Sequence, residues 1–340
     1  MIIRSKAPDR IDLAGGWTDV PPYSKETGGF VVNAAISRYT YSTLVKRDDE
    51  KIRIISADFD TSVEIKNFKE MEYDGNLDMI KAAIKRLRLD SMGMDIFVRC
   101  DAPPGSGLGT SASVGVCLIG LLNFLQEEKL TVHEVARLAN LVETEELNIA
   151  GGKQDQYASA SGNINFMEFL DPSVSVSRLN LNSATINELE KGLILCYTGE
   201  SRLSGNLISK VMGSYKKEEK RVVDALNSLR DIAVGMKSTL IKGDLNKFGE
   251  LLSENWHNQK ELDPSITNDN INRLFDIALK NGAIGGKALG AGGGGCLLFF
   301  CESDREHVVA DKLSGAGGEI ISFGFDFNGL QTWVIDRDDR

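Results

Sequence analysis

PPGSGLGTSAS, residues 103–113, is the stretch on which the reading of this chain turns. It follows MDIFVRC (94–100), whose β-branched and alternating residues predict a strand. It opens SASVGVCLIGLLNFLQ, an apolar run that predicts a buried helix from Ser111. A strand, a glycine-rich turn and a helix start in that order bring backbone amides together at the positive end of a helix dipole, which makes an anion site. Gly105, Gly107 and Gly109 admit positive φ and close backbone approach, and Thr110, Ser111 and Ser113 offer hydroxyls to phosphate oxygens or Mg2+. A turn that only caps a helix needs glycine but not three hydroxyls. The spacing is GxGxG rather than the dinucleotide GxGxxG, and Gly109 is followed by Thr110 without the lysine of a Walker loop. The loop therefore reads as a triphosphate site.

Working outward, further strands are predicted at about 2–6, 30–36, 39–47, 51–56 and 62–66, with polar turns such as RDDE between them. Helical spacing marks 77–88 and 131–146, the second opening on a capping box, Thr131 with Glu134. The alternation in DPSVSVSRLNLNSATINELEKGLILCYTG (171–199) predicts strands. Leu226, Leu229, Ile232, Ala233, Met236 and Leu240, then Phe248, Leu251, Leu252 and Asn255, recur at helical spacing. CLLFFC and GGEIISFGFDFNGLQTWVID return to strands around a helix over 303–314. The pattern is α+β in two lobes, divided as 1–180 and 181–340.

Composition narrows the function. The chain has 340 residues, 42% hydrophobic and 26% charged, as a soluble protein does, and no apolar run long enough to span a bilayer. MIIRSKAPDR lacks a secretory apolar core, which points to the cytosol. A net charge of −10 argues against nucleic acid or an anionic membrane as partner and leaves small solutes. Five cysteines without a CxxC pair and three scattered histidines exclude a disulfide scaffold, a zinc ribbon and a Ser/His/Asp triad. Acid–base chemistry falls to carboxylates. The 34 glycines are a tenth of the chain, above the average of about 7%. Besides the phosphate loop they gather in AGGW (14–17) and GAIGGKALGAGGGG (282–295), so backbone approaches something closely at three places.

These segments resemble the three ordered motifs of the GHMP kinase superfamily: APDRIDLAGGWTD (7–19) the first, PPGSGLGTSAS the second, KALGAGGGGCLLFF (287–300) the third. GKQDQYAS (152–159) and NGAIGGKALGAGGGG (281–295) are most similar to bacterial D-glycero-D-manno-heptose 7-phosphate kinases, whereas AGGWTDVPPY (14–23) also resembles L-fucokinases. The resemblance implies a ribosomal-protein-S5-like N-terminal domain and a ferredoxin-like C-terminal α+β domain. It implies ATP and Mg2+, a sugar or sugar-phosphate acceptor phosphorylated at the anomeric hydroxyl, and it allows a homodimer. A free-sugar 1-kinase and a catalytically silent nucleotide- or sugar-binding sensor are the rival readings; the presence of Arg10, Ser111, Glu145 and Asp155 argues against the second.

Carried residue by residue, the resemblance makes Asp155 the group that orients or deprotonates the acceptor hydroxyl and Arg10 the basic residue that meets the transferred phosphoryl. Pro104, Gly105, Ser106, Gly107, Leu108, Gly109, Thr110 and Ser111 would hold ATP. Ser111 and Glu145 would hold Mg2+, with Glu143 and Glu146 as competitors in VETEEL. Asp19, Trp17, Gly152, Gly292 and Gly293 would face the substrate, and Arg202 or Lys287 would meet a sugar phosphate. Two positions depart from the pattern: Thr110 keeps a hydroxyl where many relatives have serine, and Trp17 stands where heptose kinases typically have glycine.

Overall fold

The computed structural model of the chain describes residues 1–89, 92–201 and 205–335. In chain order the first half runs β1 (Ile2–Ala14), α1 (Tyr23–Glu26), β2 (Gly29–Lys46), β3 (Ile52–Ser56), β4 (Thr61–Ile65), α2 (Asp78–Arg86), β5 (Met94–Cys100), α3 (Thr110–Asn123), α4 (Val132–Leu141), α5 (Gln154–Ser161), β6 (Ile164–Leu170) and β7 (Ser173–Arg178). The second half runs α6 (Ser183–Gly192), β8 (Leu193–Tyr197), α7 (Gly205–Lys216), α8 (Lys220–Lys242), α9 (Leu245–Leu262), α10 (Asp269–Asn281), β9 (Ala283–Ala288), β10 (Cys296–Cys301), α11 (Glu306–Gly315), β11 (Glu319–Ile321) and β12 (Gln331–Ile335).

The eight-stranded sheet is organised by two long strands. β1 pairs with β2 along its whole length, broken by register shifts after Pro8 and Asp12. These irregularities turn the end of β1 away from a regular ladder. The second half of β2 pairs with β5 and its first half with β6, so one strand serves two neighbours and the expected break between 36 and 39 does not occur. The second sheet, in the order β11-β8-β10-β9, is antiparallel. Its inner strand CLLFFC is buried at every residue, because elements cover both faces. β12, the last described strand, crosses back to pair with β1, the first. That pairing puts 331–335 with the N-terminal sheet, although the sequence division at 180 assigns it to the second unit.

Three apolar clusters hold these layers together. α3 is apolar on nearly every side and packs with α2 and α4 against the first sheet through Val116, Leu118, Ile119 and Leu122. Ile11 and Leu13 of β1 meet Ile232 and Met236 of α8, Phe248 and Leu252 of α9, and Leu298 of β10, so one core joins the two sheets. Two segments differ from expectation. Residues 183–192 form a helix, because the Asn182 side chain accepts from the Thr185 amide and caps it. The helix from 131 does start on the Thr131–Glu134 capping box, yet after Leu141 it widens into a π-helical turn, Val142–Glu146.

Candidate active site

The end of β1, the N-termini of α3 and α5, and the loop between β9 and β10 meet at one cleft of about 210 Å3. Its phosphate-loop wall is backbone. Gly105, Gly107 and Gly109 all have φ between 72° and 79°, the left-handed region that glycine enters without strain. Gly109 caps α3 and leaves that helix's first amides at the cleft. A Cβ at Gly107 would stand 2.7 Å from the Leu289 carbonyl, and one at Gly295 2.6 Å from the Ser106 carbonyl. The third glycine cluster is therefore stacked on the back of the phosphate loop, and Cys296 N donates to Ser106 O at 2.7 Å. Ser106 Oγ and Thr110 Oγ1 are buried without a partner among the described residues. Orphaned hydroxyls beside a helix N-terminus fit a bound phosphate chain.

Arg10 ties this wall to the reacting groups. Its Nε and Nη2 donate to the two oxygens of Asp155 at 2.8 and 2.7 Å, and Nη1 donates to Gly107 O at 2.6 Å. The fork is bidentate, the geometry that fixes a carboxylate most firmly. Desolvation alone would lower the Arg10 pKa, but Asp155 overrides it and the guanidinium is raised. Asp155 lies in the first turn of α5, and a Cβ at Gly109 would come within 3.3 Å of its Oδ2. The carboxylate expected to handle the acceptor hydroxyl thus stands against the cap of the phosphate helix.

The expected metal pair is only half placed as read. Ser111 Oγ donates to Glu143 Oε1 at 2.7 Å, and Gln156 Nε2 donates to Glu143 Oε2 at 2.6 Å. Glu145 is exposed and does not line the cleft. Val142–Glu146 forms a π-helical turn, and within it Glu143, not Glu145, lines the cleft beside Ser111. Burial raises the Glu143 carboxyl above its usual range, against the hydrogen bond from Ser111.

The opposite side is built from side chains. Asp19 is buried, its Oδ2 accepting the Lys153 and Gln154 amides at 2.8 and 3.0 Å, so it caps the helix that carries Asp155. Burial pushes its carboxyl up to about 6. A Cβ at Gly152 would strike Asp19 Oδ2 at 1.9 Å, which explains glycine there. Trp17 lines the cleft with φ of 80°, a conformation costing a non-glycine residue ~1–2 kcal/mol, and packs in the cluster with Val20 and Leu207. Gly292 lines the cleft; Gly293 does not, and its amide is taken by Ile266 O at 2.7 Å. Pro104 is exposed outside the cleft, and Leu108 is buried beneath the loop, its carbonyl accepting from Arg10 N. Arg202 lies outside the described residues. Lys287 is not at the cleft surface: it is fully buried, 2.6 Å from Asp12 Oδ2. Asp12 is the residue missed by sequence reasoning. Its signal was present, since Arg10 and Asp12 are two apart on one strand and share a face.

The profile for the GHMP kinases N terminal domain matches residues 78–163, and that for the GHMP kinases C terminal domain matches 236–319. A D-glycero-alpha-D-manno-heptose 7-phosphate kinase from Campylobacter jejuni is 32% identical over 338 residues, covering 98% of this chain and 99% of that protein. The chain belongs to the GHMP kinase family. Its expected α+β fold and its class, a phosphotransferase acting on an alcohol group, follow, as does the broader role of sugar kinase. The crystal structure of a D-glycero-D-manno-heptose 1-phosphate kinase from Bacteroides thetaiotaomicron superposes on this GHMP kinase with a TM-score of 0.83 at 32% identity, covering 98% and 99% of the two chains. An L-fucokinase/L-fucose-1-P guanylyltransferase from Bacteroides fragilis is 27% identical over 341 residues, 92% of this chain but 36% of that longer protein. No helix among the described residues is long and apolar enough to cross a membrane.

Proposed function

We propose that this GHMP kinase transfers the γ-phosphoryl group of ATP to the anomeric hydroxyl of D-glycero-D-manno-heptose 7-phosphate, giving the 1,7-bisphosphate. The observation that carries the reading is the bidentate Arg10–Asp155 pair set against the capped N-terminus of α3, in a chain alike end to end to a heptose 7-phosphate kinase. Gly105, Ser106, Gly107, Gly109, Thr110 and Ser111 surround the nucleotide phosphates with amides and hydroxyls. Asp155 orients the acceptor hydroxyl and takes its proton. Arg10 holds Asp155 in place and, through Gly107, keeps it in register with the phosphate loop, so catalysis rests on positioning. Asp19 fixes the start of α5, and Trp17, Gly152 and Gly292 line the sugar end.

The acidic residues Asp12, Asp19, Glu143 and Asp155 line the cleft, and among the described lining residues Arg10 is the one basic side chain. Such a site binds polyphosphate poorly without an added cation. Ser111 and Glu143 would hold Mg2+, a hard cation content with two protein oxygens, and Mg2+ would supply neutralisation of phosphate charge. A coupled ADP-release assay with Mg·ATP tests the reading against D-glycero-D-manno-heptose 7-phosphate, sedoheptulose 7-phosphate, L-fucose, D-galactose, D-mannose and no sugar. Turnover confined to the heptose 7-phosphate is the expected outcome. Turnover with L-fucose or another free sugar instead would replace the acceptor, and ADP release independent of sugar would end the sugar-kinase reading.

A further inference from the structure

Two buried acceptor atoms at the sugar end of the cleft have no donor among the described residues. Asp12, 2% exposed, lines the cleft on β1; its Oδ2 is taken by Lys287, but its Oδ1 has no hydrogen-bond partner. Gln154 also lines the cleft, turns its Nε2 toward Asp19 Oδ1 at 3.4 Å, and leaves its buried Oε1 without a partner. The two side chains flank the same point of the first glycine loop: a Cβ at Gly16 would stand 2.1 Å from Asp12 Oδ2 and 3.3 Å from Gln154 Nε2. Buried acceptors left unpaired are uncommon and costly, and a ligand that brings donors relieves the cost.

Resting on the sugar-kinase reading above, we infer that Asp12 and Gln154 form an acceptor pair that selects hydroxyl-bearing carbons of the acceptor sugar, with Lys287 as the fixed counter-charge of Asp12. A hydroxyl hydrogen satisfies a lone carboxylate or amide oxygen. A phosphate oxygen at the same place has no proton to give and meets acceptors on both sides, so a substrate phosphate has to lie elsewhere. Lys287 fits the role of counter-charge because it is wholly buried and its 2.6 Å bond to Asp12 crosses from the second sheet to the first. It holds one carboxylate oxygen, leaving the other for the ligand. The same bond accounts for a lysine that reaches no substrate phosphate.

Asp12→Asn alone would strand a buried ammonium, so the decisive variant is the neutral pair Asp12→Asn with Lys287→Met, joined by Gln154→Leu as an independent test. Each is assayed for turnover of D-glycero-D-manno-heptose 7-phosphate and L-fucose, for calorimetric binding of the same two compounds without ATP, and for ATP affinity. We expect sugar KM to rise about 10- to 100-fold in the neutral pair and about 5- to 10-fold in Gln154→Leu, with ATP affinity within about twofold of the parent. A role confined to folding would move ATP affinity as well. Parental sugar KM in a folded neutral pair overturns the inference; should that variant not fold, parental sugar KM in Gln154→Leu does so. If the parent binds a sugar without turning it over and the variants lose that binding, the kinase reading fails and the acceptor pair stands. If the parent neither binds nor turns over either compound, both fall.

Discussion

The two sides of the cleft are made of different material. On the phosphate-loop side the groups offered are amides and short hydroxyls, held by glycines with positive φ and backed by a second glycine loop. On the other side the groups are side chains, the buried Asp12, Asp19 and Gln154 and the Arg10–Asp155 fork with its partly exposed carboxylate, fixed by hydrogen bonds between segments more than a hundred residues apart. A backbone wall recognises what all nucleotides share. On the proposed reading a wall of side chains would carry the acceptor's identity and the proton chemistry, and Arg10, bonded to both Gly107 and Asp155, joins the two walls.

Substitutions on each side should therefore separate binding from turnover. The largest effect belongs to Asp155→Asn, for which single-turnover kinetics should show the chemical step slowed by about 10²–10⁴-fold while equilibrium binding of ATP is unchanged. Loss of ATP binding would erase the distinction between the walls. Next, Glu143→Gln should raise the Mg2+ concentration needed for half-maximal activity by about 10- to 100-fold in a metal titration, whereas Glu145→Gln, at an exposed position outside the cleft, should leave it within about twofold. The reverse order would restore Glu145. Gly107→Ala forces a Cβ to 2.7 Å from the Leu289 carbonyl at φ of 79°; it should cost ~1–2 kcal/mol in chemical denaturation and weaken ATP binding more than sugar binding.

The smallest expected effect is a pH dependence beneath the phosphate loop. Burial pushes the Asp9 carboxyl up to about 7, while Ser113 Oγ donates to it at 2.7 Å. The folded state thus keeps this proton to a higher pH than the unfolded chain, where the carboxyl titrates near about 3.9. Its contribution to stability is intact below about pH 4 and is lost as pH rises through about 7. Asp9→Asn cannot ionise and should melt a few degrees above the parent at pH 8 and no higher at pH 4, as calorimetry would show. An equal shift at both pH values would rule out titration of Asp9 as the cause.

How much of this was open to sequence reasoning follows the same division. The backbone wall was legible because glycine spacing, a strand before it and an apolar helix after it are local signals, and all three loop glycines do adopt positive φ. Arg10 and Asp155 were named from motifs, and the fold joins them across 145 residues, which no local pattern encodes. Which of Glu143, Glu145 and Glu146 faces the cleft was not legible, because regular helical phase does not foresee a π-helical turn. Lys287 was offered with Arg202 as a contact for a sugar phosphate because its partner Asp12, 275 residues away, leaves no local signal. The helix at 183–192 was missed because alternation in the preceding SVSVSR was carried past its Asn182 cap.

The most direct test of the central claim is phosphorus NMR of the product formed from Mg·ATP and D-glycero-D-manno-heptose 7-phosphate. The account predicts one new resonance, coupled to the anomeric proton, beside an unchanged 7-phosphate. A new phosphate on any other carbon, or inorganic phosphate alone, would contradict it.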